Sequence, residues 1–119
     1  MKRLIIFVLM LITITLVFGQ SLPIKNYSTN DGLVQSQVTQ ILQDDDGYIW
    51  FLTLGGLSKF DGYSFSNYNL ATGLSTNYIK TLVFNNNKTT ILGEQSFSII
   101  QGDSLKNYDQ NYFNETLKE

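Results

Sequence analysis

Beyond position 19 the sequence predicts an all-β fold built from four-stranded antiparallel meanders. Three observations carry the prediction. The chain has one alanine, Ala71, while all eleven asparagines and eight of its nine glycines lie after residue 19, and both of these residue types favour turns over helix interiors. The apolar runs are short and end at turn chemistry, twice at an Asp-Gly pair whose need for φ > 0 makes it a strong hairpin signal. The whole pattern then recurs with a period of about 40 residues.

The first element is an export signal over residues 1–19. Lys2 and Arg3 precede an apolar run from Leu4 to Phe18, interrupted only by Thr13 and Thr15. Val17-Phe18-Gly19 then places tolerated side chains at the −3 and −1 positions, so cleavage would leave Gln20 first. An uncleaved anchor is the alternative. A helix over this run spans about 22 Å, short of the roughly 30 Å hydrocarbon core.

Strands are expected next at Val38–Gln43, Tyr48–Leu54, Leu57–Phe60 and Tyr63–Tyr68. The turns between them are Asp44-Asp45-Asp46-Gly47, Gly55-Gly56 and Asp61-Gly62. The run Tyr48-Ile49-Trp50-Phe51-Leu52 does not alternate, so it must be covered on both faces. A single sheet cannot do that, whereas stacked sheets can.

An internal repeat sets the architecture. Tyr27, Tyr68 and Tyr108 recur at intervals of 41 and 40, and Gly32-Leu33 recurs as Gly73-Leu74. Val38, Ile41, Leu42 and Asp44 map to Ile79, Leu82, Val83 and Asn85. After one deletion, Ser58, Gly62, Ser64, Asn67 and Tyr68 match Ser98, Gly102, Ser104, Asn107 and Tyr108. Four strands per period of about 40 residues is the pattern of a β-propeller blade. Residues 20–119 then make a partial propeller. Blade-like repeats cover about 27–67 and 68–107, an incomplete third starts at 108, and the ring is incomplete.

The string Tyr27…Asp31-Gly32-Leu33…Val38…Ile41…Asp44…Gly47-x-Ile49-Trp50-x-x-Thr53-x-x-Gly56-Leu57-x-x-Phe60-Asp61-Gly62 resembles the two-component regulator propeller repeat. That resemblance covers 27–68 well and 68–108 more loosely. It implies the periplasmic sensor region of Bacteroidetes-type hybrid histidine kinases, a family often tied to glycan use. The motif positions it carries over are Gly32, Leu33, Asp44, Gly47, Trp50, Thr53, Gly56, Leu57, Asp61 and Gly62, with Gly73 and Leu74 in the second repeat. Leu52 stands where the family usually has Gly. In the second repeat Ile91 is expected in the Trp50 place, Glu94 in the Thr53 place and Phe97 in the Leu57 place. No kinase segment is present, and the expectation is an exported N-terminal piece of such a sensor or a truncated relic of one.

Composition excludes several chemistries. With no Cys and no His there is no disulfide, Cys/His zinc site, Cys nucleophile or His base. From Gln20 onward six lysines face ten acids without an arginine, a poor match to a nucleic-acid phosphate backbone. Asp44-Asp45-Asp46-Gly47 lacks the alternating ligands and distant Glu of a calcium loop and reads as a hairpin turn. Trp50, mid-strand, reads as blade core rather than a sugar platform. Nothing in the spacing holds Asp31 and Asp61 together as the carboxylate pair of a glycosidase. Catalytic residues, metal ligands and cofactors are therefore expected to be none.

Propeller ligands commonly sit over the channel, at the loops that lead into each innermost strand. Here those loops are 29–37 and 70–78. The resembled repeat often has Asn before the first strand. Asn77 keeps it and Ser36 does not. Asn77, Tyr78, Ser36 and Gln37 are the expected ligand-binding residues, set against a role capping turns and strand ends. Amides, hydroxyls and an aromatic rim suit sugars, so the expected partner is an extracellular oligosaccharide or other small ligand. The expected function is a non-enzymatic, exported ligand-sensing propeller module. The alternative is a stand-alone secreted structural module that self-associates through bare blade faces, because about three repeats are needed for stability.

Overall fold

The computed structural model describes residues 1–15, 21–109 and 111–112, with the backbone alone for 12–15. The expected cleavage residues Val17, Phe18, Gly19 and Gln20 lie outside the described residues, as does most of the expected third repeat. Helix α1 (Lys2–Thr15) holds the start of the apolar run, with its side chains from Leu4 to Leu11 exposed. No helix among the described residues is long and apolar enough to cross a membrane.

The rest is β-structure. β1 (Val38–Gln43), β2 (Ile49–Thr53), β3 (Gly56–Phe60) and β4 (Phe65–Tyr68) pair in that order as one antiparallel sheet, blade 1. β5 (Ile79–Asn85), β6 (Lys88–Gly93), β7 (Ser96–Gln101) and β8 (Ser104–Asp109) repeat the arrangement as blade 2. Among the described residues the two sheets close no barrel and form part of a ring. The second expected strand is shorter than read from the sequence, because the residues at its ends serve turns. The Tyr48 carbonyl accepts the Asp44 N–H at 3.0 Å while the Tyr48 N–H donates to Asp44 Oδ1 at 2.9 Å, and the Leu54 N–H donates to the Gln37 carbonyl at 3.3 Å. The fourth starts at Phe65 because Asp61 Oδ1 accepts the N–H groups of Tyr63 and Ser64, both at 2.8 Å.

Paired residues of an antiparallel ladder share a face, and faces alternate along each strand. The pairs Leu42–Trp50, Trp50–Lys59, Leu52–Leu57 and Leu57–Tyr68 mark one face of blade 1, its trailing face. Leu82–Ile91, Ile91–Ser98 and Thr89–Ile100 mark the leading face of blade 2. The core lies where these faces meet. Trp50, Leu52 and Leu57 pack with Leu82, Ile91 and Ile100, and Leu74 fills in from the connecting loop. Leu52, in the place the family usually gives to Gly, is 1% exposed in this core.

The register corrects two expected equivalences. Leu42 pairs with Trp50, and its repeat Val83 pairs with Thr90. Thr90, not Ile91, therefore occupies the Trp50 place. Ile91 occupies the Phe51 place and faces blade 1. Likewise Ile79, the repeat of Val38, pairs with Gly93, so Gly93 rather than Glu94 stands in the Thr53 place. Phe97 does hold the Leu57 place. The physical reason is the turn. Asp44 and Tyr48 enclose three residues with Gly47 at φ 88°, whereas Asn85 and Lys88 enclose only Asn86 and Asn87, at φ 43° and 61°. Two consecutive left-handed residues make the two-residue primed turn that matches strand twist. The one-residue deletion sits there, before β6, and shifts every later equivalence from 41 to 40.

Leu57 is fully buried between the blades. Replacing it with Ala is expected to cost about 2–5 kcal/mol, read as a lower urea midpoint by the fluorescence of Trp50, the sole tryptophan. A midpoint within error of wild type would show that the two sheets do not share this core.

Candidate ligand site at the blade junction

The loops carrying the four expected ligand residues are built alike. In the first, Asp31 Oδ2 accepts the Ser28 N–H at 2.8 Å and the Ser28 hydroxyl at 3.0 Å, closing a 3-10 turn at Thr29–Asp31. In the second, Asn69 Oδ1 and Thr72 Oγ1 accept each other's backbone N–H around Leu70–Thr72, at 3.0 and 2.8 Å. Leu33 and Leu74 follow, 5% and 3% exposed, as apolar plugs.

A repeated polar pin then fixes each loop to its blade. The Val34 N–H donates to Ser58 Oγ at 2.9 Å, Ser58 donates to Asn67 Oδ1 at 2.6 Å, and Asn67 Nδ2 donates to the Gly32 carbonyl at 2.8 Å. In blade 2, Ser75 Oγ lies 3.0 Å from Ser98 Oγ, Ser98 donates to Asn107 Oδ1 at 2.7 Å, and Asn107 Nδ2 donates to the Gly73 carbonyl at 2.7 Å. The identities noted in the sequence at Gly32, Ser58 and Asn67 are therefore one contact, made twice.

Pinned this way, the second loop presents Asn77 and Tyr78 to a cleft of about 310 Å³ between the blades. Thr39, Gln40 and Leu54 line it from blade 1, and Lys80 and Glu94 from blade 2. Asn77 Oδ1 accepts the Leu70 N–H at 3.1 Å, so this oxygen braces the loop. The Tyr78 ring is 75% exposed, and Tyr78 and Glu94 also line a second cleft with Ser75, Thr76, Gln95 and Ser96. Ser36 and Gln37 do not line either cleft. They hold the matching position ahead of β1, where Gln37 Oε1 accepts from Gln35 Nε2 at 3.2 Å and the Ser36 carbonyl accepts the Val38 N–H. The structure thus brings together two of the four expected residues and adds Thr39, Gln40, Lys80 and Glu94. Their signal in the sequence is weak, because polar residues on a first strand (Thr39, Gln40, Lys80) or in a hairpin turn (Glu94) read equally as ordinary solvent exposure.

At the opposite rim another cleft of about 470 Å³ runs between the β1–β2 and β5–β6 turns. Trp50 borders it but is 1% exposed. Its ring lies 6.1 Å from both Tyr68 and Phe84, and its Nε1 donates to Asp44 Oδ2 at 2.8 Å. No ring face is open to a sugar. Asp44 Oδ1 accepts from the N–H groups of Asp46 and Tyr48, which leaves Asp44 serving the hairpin. Among the described residues no group of three or more Asp or Glu is arranged to hold a metal. Asp31 and Asp61 cap different turns.

Hydrogen bonds from Ser28 hold the Asp31 carboxyl below the ordinary Asp range, and those from Ser64 and Tyr63 do the same for Asp61. Burial, with Asp103 nearby, pushes the Tyr68 phenol up. A carboxyl whose folded pKa is depressed contributes stability that is present above its unfolded value, about 3.9, and lost as pH falls through the folded value. In a carboxyl-carbon NMR titration both turns are expected to titrate below that value. Midpoints at or above it would mean the caps are not formed in solution. Asn67→Ala, which opens the pin at both ends, is expected to cost about 1–3 kcal/mol in the urea melt, and an unchanged melt would remove the pin from the account.

Comparison with known proteins adds a family. Residues 32–55 match the two component regulator propeller family. A segment of 44 residues is 48% identical to Histidine kinase P4 of Formosa agariphila, covering 37% of this chain and 3% of that protein. The chain thus spans a small fraction of the length of this curated relative. The matched segment begins at the pinned Gly32, runs through β1 and β2, and ends at the β2–β3 turn. Residues 32–55 are thus similar to a two component regulator propeller repeat, and the four-stranded meander they open is consistent with a propeller blade.

Proposed function

We propose that this chain is an exported ligand-sensing propeller module whose ligand is an extracellular oligosaccharide, bound without chemical conversion. The observation that carries the reading is the cleft between two blades where the loop leading into β5 stands beside β1. There an exposed Tyr78 ring stands among the amides and hydroxyls of Asn77, Gln40 and Thr39. Rings offer a stacking face, and amides and hydroxyls both donate and accept, which is what sugar hydroxyls require. The match to the propeller repeat of a family of two-component regulators supports the sensing role. The charged n-region and apolar run support export, with removal of residues 1–19. A second reading is favoured by Ile41 and Val83, which are 58% and 48% exposed on the first strands of their blades. Apolar side chains there suit self-association through blade faces.

One preparation tests both. The full chain is expressed with its own N-terminus in a Gram-negative host and the periplasmic product is sequenced. Gln20 is the expected first residue. Light scattering then reads its mass, and calorimetric titration with a panel of neutral and uronic oligosaccharides reads binding. The sensing reading expects at least one saccharide to bind and Tyr78→Ala to weaken it about tenfold, about 1.4 kcal/mol. A discrete oligomer that binds no saccharide would overturn it in favour of the structural module.

A further inference from the structure

We propose that Asp46-Gly47 is a site of spontaneous covalent modification, where the aspartate converts to isoaspartate through a cyclic imide, while the fold protects the other two Asp-Gly pairs. The sequence has three such pairs, at 31–32, 46–47 and 61–62. A glycine after the aspartate leaves the attacking amide nitrogen unshielded by a side chain, so each pair is chemically competent. All three aspartates are exposed, so solvent access does not separate them. What separates them is what each carboxyl binds.

Asp31 Oδ2 accepts the Ser28 N–H and hydroxyl at 2.8 and 3.0 Å. Gly32 is fixed too, because its carbonyl accepts Asn67 Nδ2 at 2.8 Å. Asp61 Oδ1 accepts the N–H groups of Tyr63 and Ser64, both at 2.8 Å, and Oδ2 accepts the Ser64 hydroxyl at 3.2 Å. Both carboxyls are thus turned to donors other than their own glycine. The same donors hold them below the ordinary Asp range, and an ionised carboxyl carbon is the poorer electrophile. Asp46 differs. Its backbone N–H donates to Asp44 Oδ1 at 3.1 Å, but its carboxyl accepts no hydrogen bond among the described residues. Asp44, not Asp46, holds the turn, through the Tyr48 N–H and Trp50 Nε1. A Cβ added at Gly47 would meet nothing within 4 Å, so there is room for a ring. The Gly47 N–H donates to the Asp44 carbonyl at 3.1 Å and the Gly32 N–H to the Thr29 carbonyl at 3.2 Å, so the amide side does not rank these two pairs.

The Gly47 nitrogen attacks the side-chain carboxyl carbon of Asp46. A C–N bond forms, the C–O bond to the carboxyl hydroxyl breaks, and that hydroxyl leaves with the amide proton as water. Water then reopens the imide. Attack at the side-chain carbonyl restores aspartate, whereas attack at the main-chain carbonyl leaves the backbone running through Cβ, with a free α-carboxylate. Nothing else enters and the mass is unchanged. The product carries an additional backbone carbon between Asp44 and Tyr48, inside the turn that sets the start of β2. Blade 2 has Asn86-Asn87 there instead, so the change is confined to blade 1. It alters the rim of the cleft of about 470 Å³ that Asp45 and Asp46 line.

The test ages the full chain for several weeks in neutral buffer, with and without urea, and measures isoaspartate at each pair by peptide mapping with electron-transfer fragmentation. In buffer, Asp46 is expected to exceed Asp31 and Asp61 about tenfold, because breaking one hydrogen bond to a carboxylate before attack costs about a decade in rate. In urea the three pairs are expected to converge. Similar levels in buffer would overturn the proposal, whether because the caps do not protect or because the chain does not fold. An Asp46 excess that persists in urea would place the cause in local sequence and overturn it as well. Asp46→Glu keeps the charge, but its longer side chain closes the imide far more slowly. This variant is expected to lack the new peak that the ageing wild type develops on reversed-phase chromatography, and an unchanged peak would count against the site.

Discussion

The link from Ser58 through Asn67 to the Gly32 carbonyl, made again from Ser98 through Asn107 to Gly73, is the constraint on which the remaining structure depends. It joins the third strand, the outer strand and the loop ahead of the first strand. A meander alone holds its strands together but does not say where the incoming chain lies. With the pin in place the loop is held across the blade, and Leu33 or Leu74 is pressed inward. A serine buried without such a partner would be destabilising, so the pin also makes the burial of Ser58 and Ser98 tolerable.

Packing follows from that placement. Leu74 can fill the gap between blades only because Gly73 is held by Asn107. Around it the two sheets present unlike faces, one dominated by Trp50, Leu52 and Leu57 and the other by Leu82, Ile91 and Ile100. The Trp50 indole reaches the Asp44 carboxylate, so its one polar atom is paired at the edge of the core. The Lys59 ammonium lies 3.7 Å from the centre of the Tyr48 ring and 5.2 Å from that of Trp50, which closes the rim. Blades that pack face to face in this way stack in one direction, each trailing face meeting the next leading face. The leading face of blade 1 and the trailing face of blade 2 therefore have the shape of interfaces.

The cleft at Tyr78 is a by-product of the same geometry. Because each loop is pinned to its own blade, the residues just before β5 project beside the β1 side of the neighbouring blade. Asn77 braces the loop, and Tyr78 is left free to meet solvent. The matching residues Ser36 and Gln37 stand on the leading side of blade 1, where an earlier blade would complete the cleft. A cleft of this kind belongs to a junction between blades rather than to one blade.

Much of this was legible from the chain alone. Strand order, turn positions, the blade unit and the burial of Trp50 are local or periodic properties, governed by apolar patterning and by residues that accept left-handed backbone. Position 91 marks the limit. Sequence spacing equated Ile91 with Trp50, whereas strand register placed it on the opposite face, because a two-residue Asn-Asn turn and a three-residue Asp-Asp-Gly turn are alike in composition and differ only in how they close. The four residues expected at the ligand site were equivalent by repeat but not by neighbourhood. Only the stacking of blades put Asn77 and Tyr78 beside Thr39 and Gln40 and left Ser36 and Gln37 apart. Periodicity along a chain determines which residues are alike. Which of them touch is decided by the faces that pack, since those contacts join residues some 40 positions apart whose pairing no local rule encodes.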